Sequence, residues 1–382
     1  MTGLRYLSGG ESHGKCLIAI IEGLPANLTL DITAINGELA RRQAGYGRGP
    51  RMKLEKDQVQ ILTGLRNGIT LGSPLTLLIA NKDWPNWQQV MNPVGENKGE
   101  PITNPRPGHA DLPGALKYRQ SDMRNIFERA SARETAIRVA VGAVAKQLLR
   151  VFGVQIVSHV VAIGSVTARE KHIPVEDIEA IAAASPVRCL DPEATQAMVA
   201  KITATQEEGD SLGGIFEVQV HNLPWGLGSH VHWDRKLDGR LAQAVVSIQG
   251  VKGVEFGAGF ASASMSGSKF HDQIIYDGKF SLGSNNAGGV LGGISTSAPI
   301  VIRAAMKPIP TLVKPLLSVD FITKEPCNAC VQRTDACAVP AASIVAEAAI
   351  AWELAVAFLE KFGGDSKQEI INNYKSFCES LA

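Results

Sequence analysis

Five short strings in this chain bring together side chains able to hold an anion and move protons. The first is Gly9-Gly10-Glu11-Ser12-His13-Gly14-Lys15. Its spacing fits a phosphate-cradling P-loop, but Cys16 stands where the loop needs Ser or Thr for Mg²⁺, and an apolar β-type run follows in place of a helix. What remains is His13 at a glycine-flanked turn, free to approach a ligand; a plain surface histidine is the simpler alternative. The second string, Ala40 to Met52, places Arg41, Arg42, Arg48 and Arg51 within eleven residues, interspersed with glycines. Planar guanidinium forks suit carboxylate and phosphate oxygens, whereas a merely solvated basic loop gains nothing from glycine spacing. The third, Arg129-Ala130-Ser131-Ala132-Arg133-Glu134, sets two arginines around a helix start, where backbone N–H groups and the helix dipole favour anions. Ser131 and Glu134 stand at capping-box spacing, which explains them but not the arginines. The fourth is the glycine run Gly288 to Gly293, followed by Lys307-Pro308-Ile309-Pro310-Thr311; glycines let a backbone approach a flat or phosphorylated ligand. In the fifth, Arg333-Thr334-Asp335-Ala336-Cys337, an acid stands just ahead of a helix, where capping is its simpler role.

No metal is expected. Cys327, Cys330 and Cys337 lack a fourth ligand at a zinc spacing. The chain of 382 residues is 45% hydrophobic with a formal net charge of +1, which excludes a disordered chain and argues against a polybasic nucleic-acid or membrane binder. Charge is unevenly spread. Residues 1–150 hold 20 basic and 13 acidic side chains, a surplus of +7, against 18 and 24 in residues 151–382, or −6. An anionic ligand handled by the first half is the natural reading. Residues 280–302 are uncharged, but their Gly, Ser, Asn and Pro content makes a poor membrane helix. The opening residues lack a signal-peptide apolar core, and six cysteines in a chain this long need not be staples, so a cytoplasmic setting is expected.

Positioning these strings requires a mixed scaffold. Leu4 to Glu22 reads as strand, glycine turn and strand, and Asp31 as the N-cap of a helix running to Gln43. Residues 59–80 read as two strands around a turn at 66–68, with further strands near 154–163, 213–222 and 299–306. Helices are expected from Ser131 to just before Gly153, over Asp234–Val246, and from Pro340 to about Lys361. Six of the 19 prolines fall between Pro85 and Pro113. That stretch, 81–113, predicts a long packed loop able to close over a site. The elements lack the regular alternation of βαβ units, so the fold class is α+β. VAKQLLRVFG and VAFLEKFGG, each closing an Ala-rich helix, hint at a duplicated half.

Taken together, the strings resemble chorismate synthase: GESHG at 10–14, RRQxGYGRGxRM at 41–52, RPGHAD at 106–111, RASARET at 129–135, SIxxVKGVEFGxGF at 247–260, NNAGGxxGGIS at 285–295, KPIPT at 307–311 and RTDxCAVP at 333–340. The resemblance implies a single-domain β-α-β sandwich over residues 1–382 with internal pseudo-symmetry, assembled as a homotetramer. It implies the 1,4-anti elimination of phosphate from 5-enolpyruvylshikimate 3-phosphate to give chorismate, in the shikimate pathway to aromatic amino acids. It also implies a requirement for reduced FMN, although the reaction is redox-neutral. By the same resemblance, His13 assists phosphate departure, His109 tunes the protonation of the reduced flavin, and Asp335 works with the flavin in removing the ring proton. Arg42 and Arg48 match NADP-contacting positions and, with Arg51, Arg133 and Arg333, are assigned here to the substrate's anions. The positions matching FMN contacts are Arg129, Ala130, Ser131, Gln249, Gly250, Gly292, Lys307, Pro308, Ile309, Pro310, Thr311 and Arg333. Gln249-Gly250 departs from the Asn-Ala of many members, which leaves open whether Gln249 touches FMN by side chain or backbone.

A substrate with two carboxylates and a phosphate calls for several arginines, and a leaving phosphate for cations and a proton donor. Two other functions share part of the pattern. A non-enzymatic flavin- or anion-binding protein would keep the glycine and arginine strings without needing His13, His109 or Asp335. An NADPH-dependent flavin reductase stays open as an additional activity, though no Gly-x-Gly-x-x-Gly strand–helix fingerprint marks a dinucleotide domain.

Overall fold

The computed structural model describes residues 3–49, 55–96, 98–169, 173–332 and 335–381. The first half runs β1 (Arg5–Gly9), β2 (Cys16–Glu22), α1 (Ile32–Gln43), β3 (Val59–Thr63), β4 (Leu75–Ala80) and α2 (Thr135–Arg150). These strands form an antiparallel sheet in the order β1-β2-β4-β3. The second half repeats the succession with β5 (Gln155–Ile163), β6 (Gly214–His221), α3 (Leu237–Val246), β7 (Val251–Phe256), β8 (Ile300–Met306) and α4 (Val339–Phe362). Its sheet has the matching order β5-β6-β8-β7, extended past β5 by the short strand Val166–Thr167. Strand–strand–helix, twice over in each half with one sheet order, is the duplication that the two helix endings hinted at.

Each sheet buries one face on a shared layer of helices. Leu75, Leu77 and Ile79 alternate inward along β4, as do Leu17, Ala19 and Ile21 along β2. The layer runs α1, α2, α4, α3, with α2 and α4 at its centre. Those two touch through small residues: a Cβ added to Gly142 would come within 2.4 Å of the Cβ of Ala348. By length and composition α4 could cross a membrane, yet 83% of its most apolar window is buried inside the protein. It is largely apolar because most of its residues are packed inside the protein; Glu347, buried in its middle, is the charged exception among these.

Asp31 caps α1 as expected, its carboxylate accepting the Thr33 N–H at 2.8 Å. Two expectations need correction. Residues 81–113, expected as one long packed loop, carry helix as well: a short helix spans Trp84–Trp87, and another, Asp111–Tyr118, begins inside the RPGHAD string. Pro113 masked it, although proline is tolerated in a first helical turn. The capping box is half formed. Ser131 Oγ accepts the Arg133 N–H at 3.3 Å, but the Glu134 carboxylate turns away to Gln249 Nε2 at 3.1 Å, and Ser131 heads a short 3₁₀ turn before α2.

Candidate active site

The β1–β2 turn presents His13, and its neighbours fix it from three sides. Glu128, from the helix Arg124–Ala130, accepts from the His13 backbone N–H at 2.7 Å and lies 2.8 Å from His13 Nδ1. The Glu128 carbonyl takes the Ser12 N–H at 2.9 Å. Asn81 donates its side-chain amide to the carbonyls of Glu11 and Gly14, at 3.1 and 2.6 Å. Trp87 stacks on the imidazole with ring centroids 3.9 Å apart. The sequence-expected loop therefore does reach His13, through an ordered tryptophan.

Beside this turn the arginines separate by direction. Arg133 grips Asp57 through both carboxylate oxygens at 2.7 and 2.6 Å and Asn81 Oδ1 at 3.0 Å. Arg42 donates to Thr135 Oγ1 at 2.9 Å and the Ala132 carbonyl at 3.0 Å. One nitrogen of each, Arg42 Nη1 and Arg133 Nη2, is buried with no hydrogen bond among the described residues; the acids Asp57 and Glu55 stand 3.7 Å off. Burial, with some repulsion from Arg48 and Arg133, pushes Arg42 down to about 9 against the pull of Asp57, so it keeps its charge at neutral pH. Arg48 pairs with Asp335 at 3.0 Å, and the Gly49 N–H donates to the other Asp335 oxygen at 2.6 Å. Capping does not occupy Asp335: α4 has Ala338 at its N-cap and no side-chain cap. Arg41, one residue from Arg42, points the other way, into an ion network with Glu38, Glu179 and Glu347. Arg51 and Arg333 lie outside the described residues.

A second group forms around His109. Its Nδ1 lies 2.5 Å from Asp111 Oδ1, and Arg106 donates to the same carboxylate at 2.8 and 3.1 Å. Burial works to raise the Asp111 carboxyl, but the His109 and Arg106 bonds outweigh it and hold it well below the usual carboxylate range. Arg106 also donates to Thr311 Oγ1 at 3.0 Å and Gln332 Oε1 at 3.2 Å. Lys307 Nζ donates to the Gly108 carbonyl, and its backbone N–H donates to the Gly250 carbonyl at 2.9 Å. Burial, aided by Lys252, draws the Lys307 amine below its ordinary value. The Arg106 guanidinium sits 4.9 Å from the Phe127 ring, next in sequence to Glu128. One seven-residue helix thus braces both histidine groups.

Several of the remaining positions bind back to neighbouring backbone or side chains. Arg129 binds back to the Gly10 carbonyl at 3.1 Å and Ser8 Oγ at 2.9 Å, and Ser131 Oγ meets Ser12 Oγ at 3.3 Å. Ala130 closes the Glu128 helix. The Ile309 carbonyl, between Pro308 and Pro310, accepts Ser211 Oγ at 2.7 Å. Gln249 Oε1 is buried with no hydrogen bond among the described residues. The glycine run serves chiefly its own fold: a Cβ on Gly288 would strike the Gly257 backbone at 2.3 Å and one on Gly289 the Pro299 carbonyl at 2.5 Å. Only at Gly292, of these, would a Cβ meet nothing within 4 Å among the described residues. Sequence reasoning gave no role to Glu128, Asp57 or Asn81, and placed Trp87, Arg106 and Asp111 in a functional loop without assigning them to a histidine.

Two histidine–carboxylate pairs and several buried arginines are mounted on a duplicated β-α-β sandwich, an arrangement able to bind an anionic small molecule and to move protons beside it. The chorismate synthase family model matches residues 4–359. Proteins named chorismate synthase from Brevibacillus brevis and Pelobacter propionicus are 54% and 57% identical, over 99% of this chain and 100% and 99% of their own. A crystal structure of chorismate synthase superimposes with a TM-score of 0.81 at 43% identity, covering 100% of this chain and 99% of that one. The chain belongs to the chorismate synthase family. It is a flavin-dependent lyase that eliminates phosphate from 5-enolpyruvylshikimate 3-phosphate to give chorismate, on the route to aromatic amino acids.

Proposed function

We propose that the elimination takes place between the two histidine–carboxylate pairs, with residues 1–382 acting as one domain in a cytoplasmic homotetramer. The observation that carries this reading is a pair of buried guanidinium nitrogens near the His13 turn, Arg42 Nη1 and Arg133 Nη2, which make no hydrogen bond among the described residues and stand 3.7 Å from Asp57 and Glu55. A buried donor without an acceptor is costly and rare, and an anionic ligand satisfies both. Arg42 and Arg133, with Arg48, Arg51 and Arg333, clamp the carboxylates and phosphate of the substrate. His13 gives a proton to the departing phosphate oxygen, while the surrounding cations stabilise its developing charge. Asp335, which pairs with Arg48 and accepts the Gly49 N–H, is assigned to the removal of the ring proton.

The flavin-matching segments fit FMN. Lys307 to Thr311 is tied to Gly250 by the Lys307 backbone and to the His109 group through Gly108 and Arg106. An orphaned Gln249 oxygen and the open space at Gly292 face no other protein partner among the described residues. Arg129, Ala130, Ser131, Gln249, Gly250, Gly292, Lys307–Thr311 and Arg333 would hold it, with Gln249 contributing its side-chain oxygen. When bound in its reduced form, FMN supplies the electron-rich centre that no side chain provides. His109, oriented by Asp111, governs the protonation state favoured beside it. Arg42 and Arg48 match NADP-contacting positions of the family, so NADPH is the reductant proposed where the flavin is reduced on the protein itself.

Separate replacements test the two histidine roles. His13→Ala and His109→Ala should each slow turnover by about 10²–10⁴-fold. His109→Ala should also change the absorbance of bound reduced FMN in the ternary complex. His13→Ala should leave that spectrum near wild type while slowing phosphate release in a single turnover. The opposite pattern exchanges the roles, and unchanged turnover removes that residue from the mechanism.

A further inference from the structure

Glu128 lies in none of the strings that drew attention in the sequence, yet its carboxylate is committed to a single residue. The side chain is 1% exposed. Its Oε2 accepts the His13 backbone N–H at 2.7 Å, and Oε1 faces His13 Nδ1 at 2.8 Å; among the described residues these are its carboxylate's hydrogen bonds. A carboxylate withdrawn from water requires such partners. The Asp111 carboxylate, by contrast, is shared between His109 and Arg106. Among the described residues, no arginine binds the Glu128 carboxylate.

We infer that Glu128 is the positioning residue for His13, fixing the ring's tautomer and orientation for proton transfer; this rests on the role proposed above for His13. An ionised carboxylate only accepts, so Nδ1 carries a hydrogen toward Glu128 and Nε2 is the nitrogen directed at the substrate. The doubly protonated ring gives its Nε2 hydrogen to the departing phosphate oxygen. That N–H bond breaks, an O–H bond forms on phosphate, and the ring is left neutral with its Nδ1 hydrogen still on Glu128. Trp87 holds the plane of the ring by stacking, and is itself covered by Arg124 at 5.7 Å. Two contacts on one residue, backbone and ring, set both the position of the turn and the rotation of the imidazole.

Glu128→Gln keeps the shape but offers one acceptor and one donor where two acceptors are needed. With its oxygen on the His13 N–H, its amide NH₂ faces Nδ1 and reverses the tautomer. ¹⁵N NMR of the His13 ring should show the hydrogen moved from Nδ1 to Nε2. Single-turnover phosphate release by the holoenzyme should slow about 10²–10⁴-fold, as expected for a histidine in the wrong tautomer, with substrate and reduced FMN still bound normally. Glu128→Asp, which keeps the charge, should recover part of that rate, and Glu128→Gln combined with His13→Ala should be no slower than His13→Ala alone. An unchanged tautomer, an additive double variant, or a loss of ligand affinity equal to the loss of rate overturns the inference. A slow His13→Ala beside a fast Glu128→Gln overturns it alone; a wild-type rate in His13→Ala overturns the role of His13 and this inference with it.

Discussion

Glu347→Gln removes one charge from the middle of α4, at the seam between the two halves of the fold. Glu347 is fully buried and accepts both Arg41 Nη1 and Nη2 at 2.9 Å, Lys146 Nζ, and Ser158 Oγ at 2.5 Å. Arg188 lies 3.8 Å away, and Glu38 and Glu179 complete the cluster, so three cations face three carboxylates. The amide leaves three against two. Stranding a buried charge in this way costs about 3–5 kcal/mol. With an unfolding entropy of about 2.1 cal/mol/K per residue over 382 residues, the midpoint of thermal unfolding should fall by about 4–6 °C. Differential scanning calorimetry of wild type and variant at pH 7 measures it. Burial acts to raise the Glu347 carboxyl, but Lys146 and Arg41 outweigh it and hold it far below its ordinary 4.5. Its folded value therefore lies below its unfolded one. The stabilisation is present above about pH 4.5 and is lost as pH falls further, so the gap between wild type and variant should narrow in acid. A variant as stable as wild type at pH 7, or a gap that widens on acidification, would refute the reasoning.

Arg48→Ala should weaken substrate binding by about 10–100-fold, the loss of one charge-assisted hydrogen bond, while FMN affinity changes less. Titrations of each ligand check it, and equal losses would show that Arg48 is not on the substrate side. Residues 81–113 should exchange amide hydrogens faster in the free protein than with reduced FMN and substrate bound, because Trp87 couples the segment to His13. Equal protection in both states excludes gating.

The scaffold was legible wherever local chemistry and burial agreed. Alternation of Leu75, Leu77 and Ile79 announced β4, and Asp31 announced the start of α1. The helix Asp111–Tyr118 was hidden because Pro113 and Gly114 read as loop formers, while the structure uses Gly114 for packing: a Cβ there would reach Ile126 at 2.3 Å. The arginine string was legible as a string but not by direction. Consecutive helical residues diverge by about 100°, and that alone sends Arg41 to the ion network and Arg42 toward the site. Glu128 meets His13 across 115 residues of chain, a pairing that no local pattern encodes. The glycines at 288 and 289 were read as ligand-facing because composition cannot distinguish a backbone approaching a ligand from one approaching another strand.

The most direct test of the account is a turnover under anaerobic conditions with chemically reduced FMN and 5-enolpyruvylshikimate 3-phosphate. Chorismate and inorganic phosphate should appear in equal amounts, without net flavin oxidation and without NADPH. Flavin and substrate binding with no product would make the protein a binder, and product formed only with matching oxidation of the flavin would make it an oxidoreductase; either result contradicts the assignment.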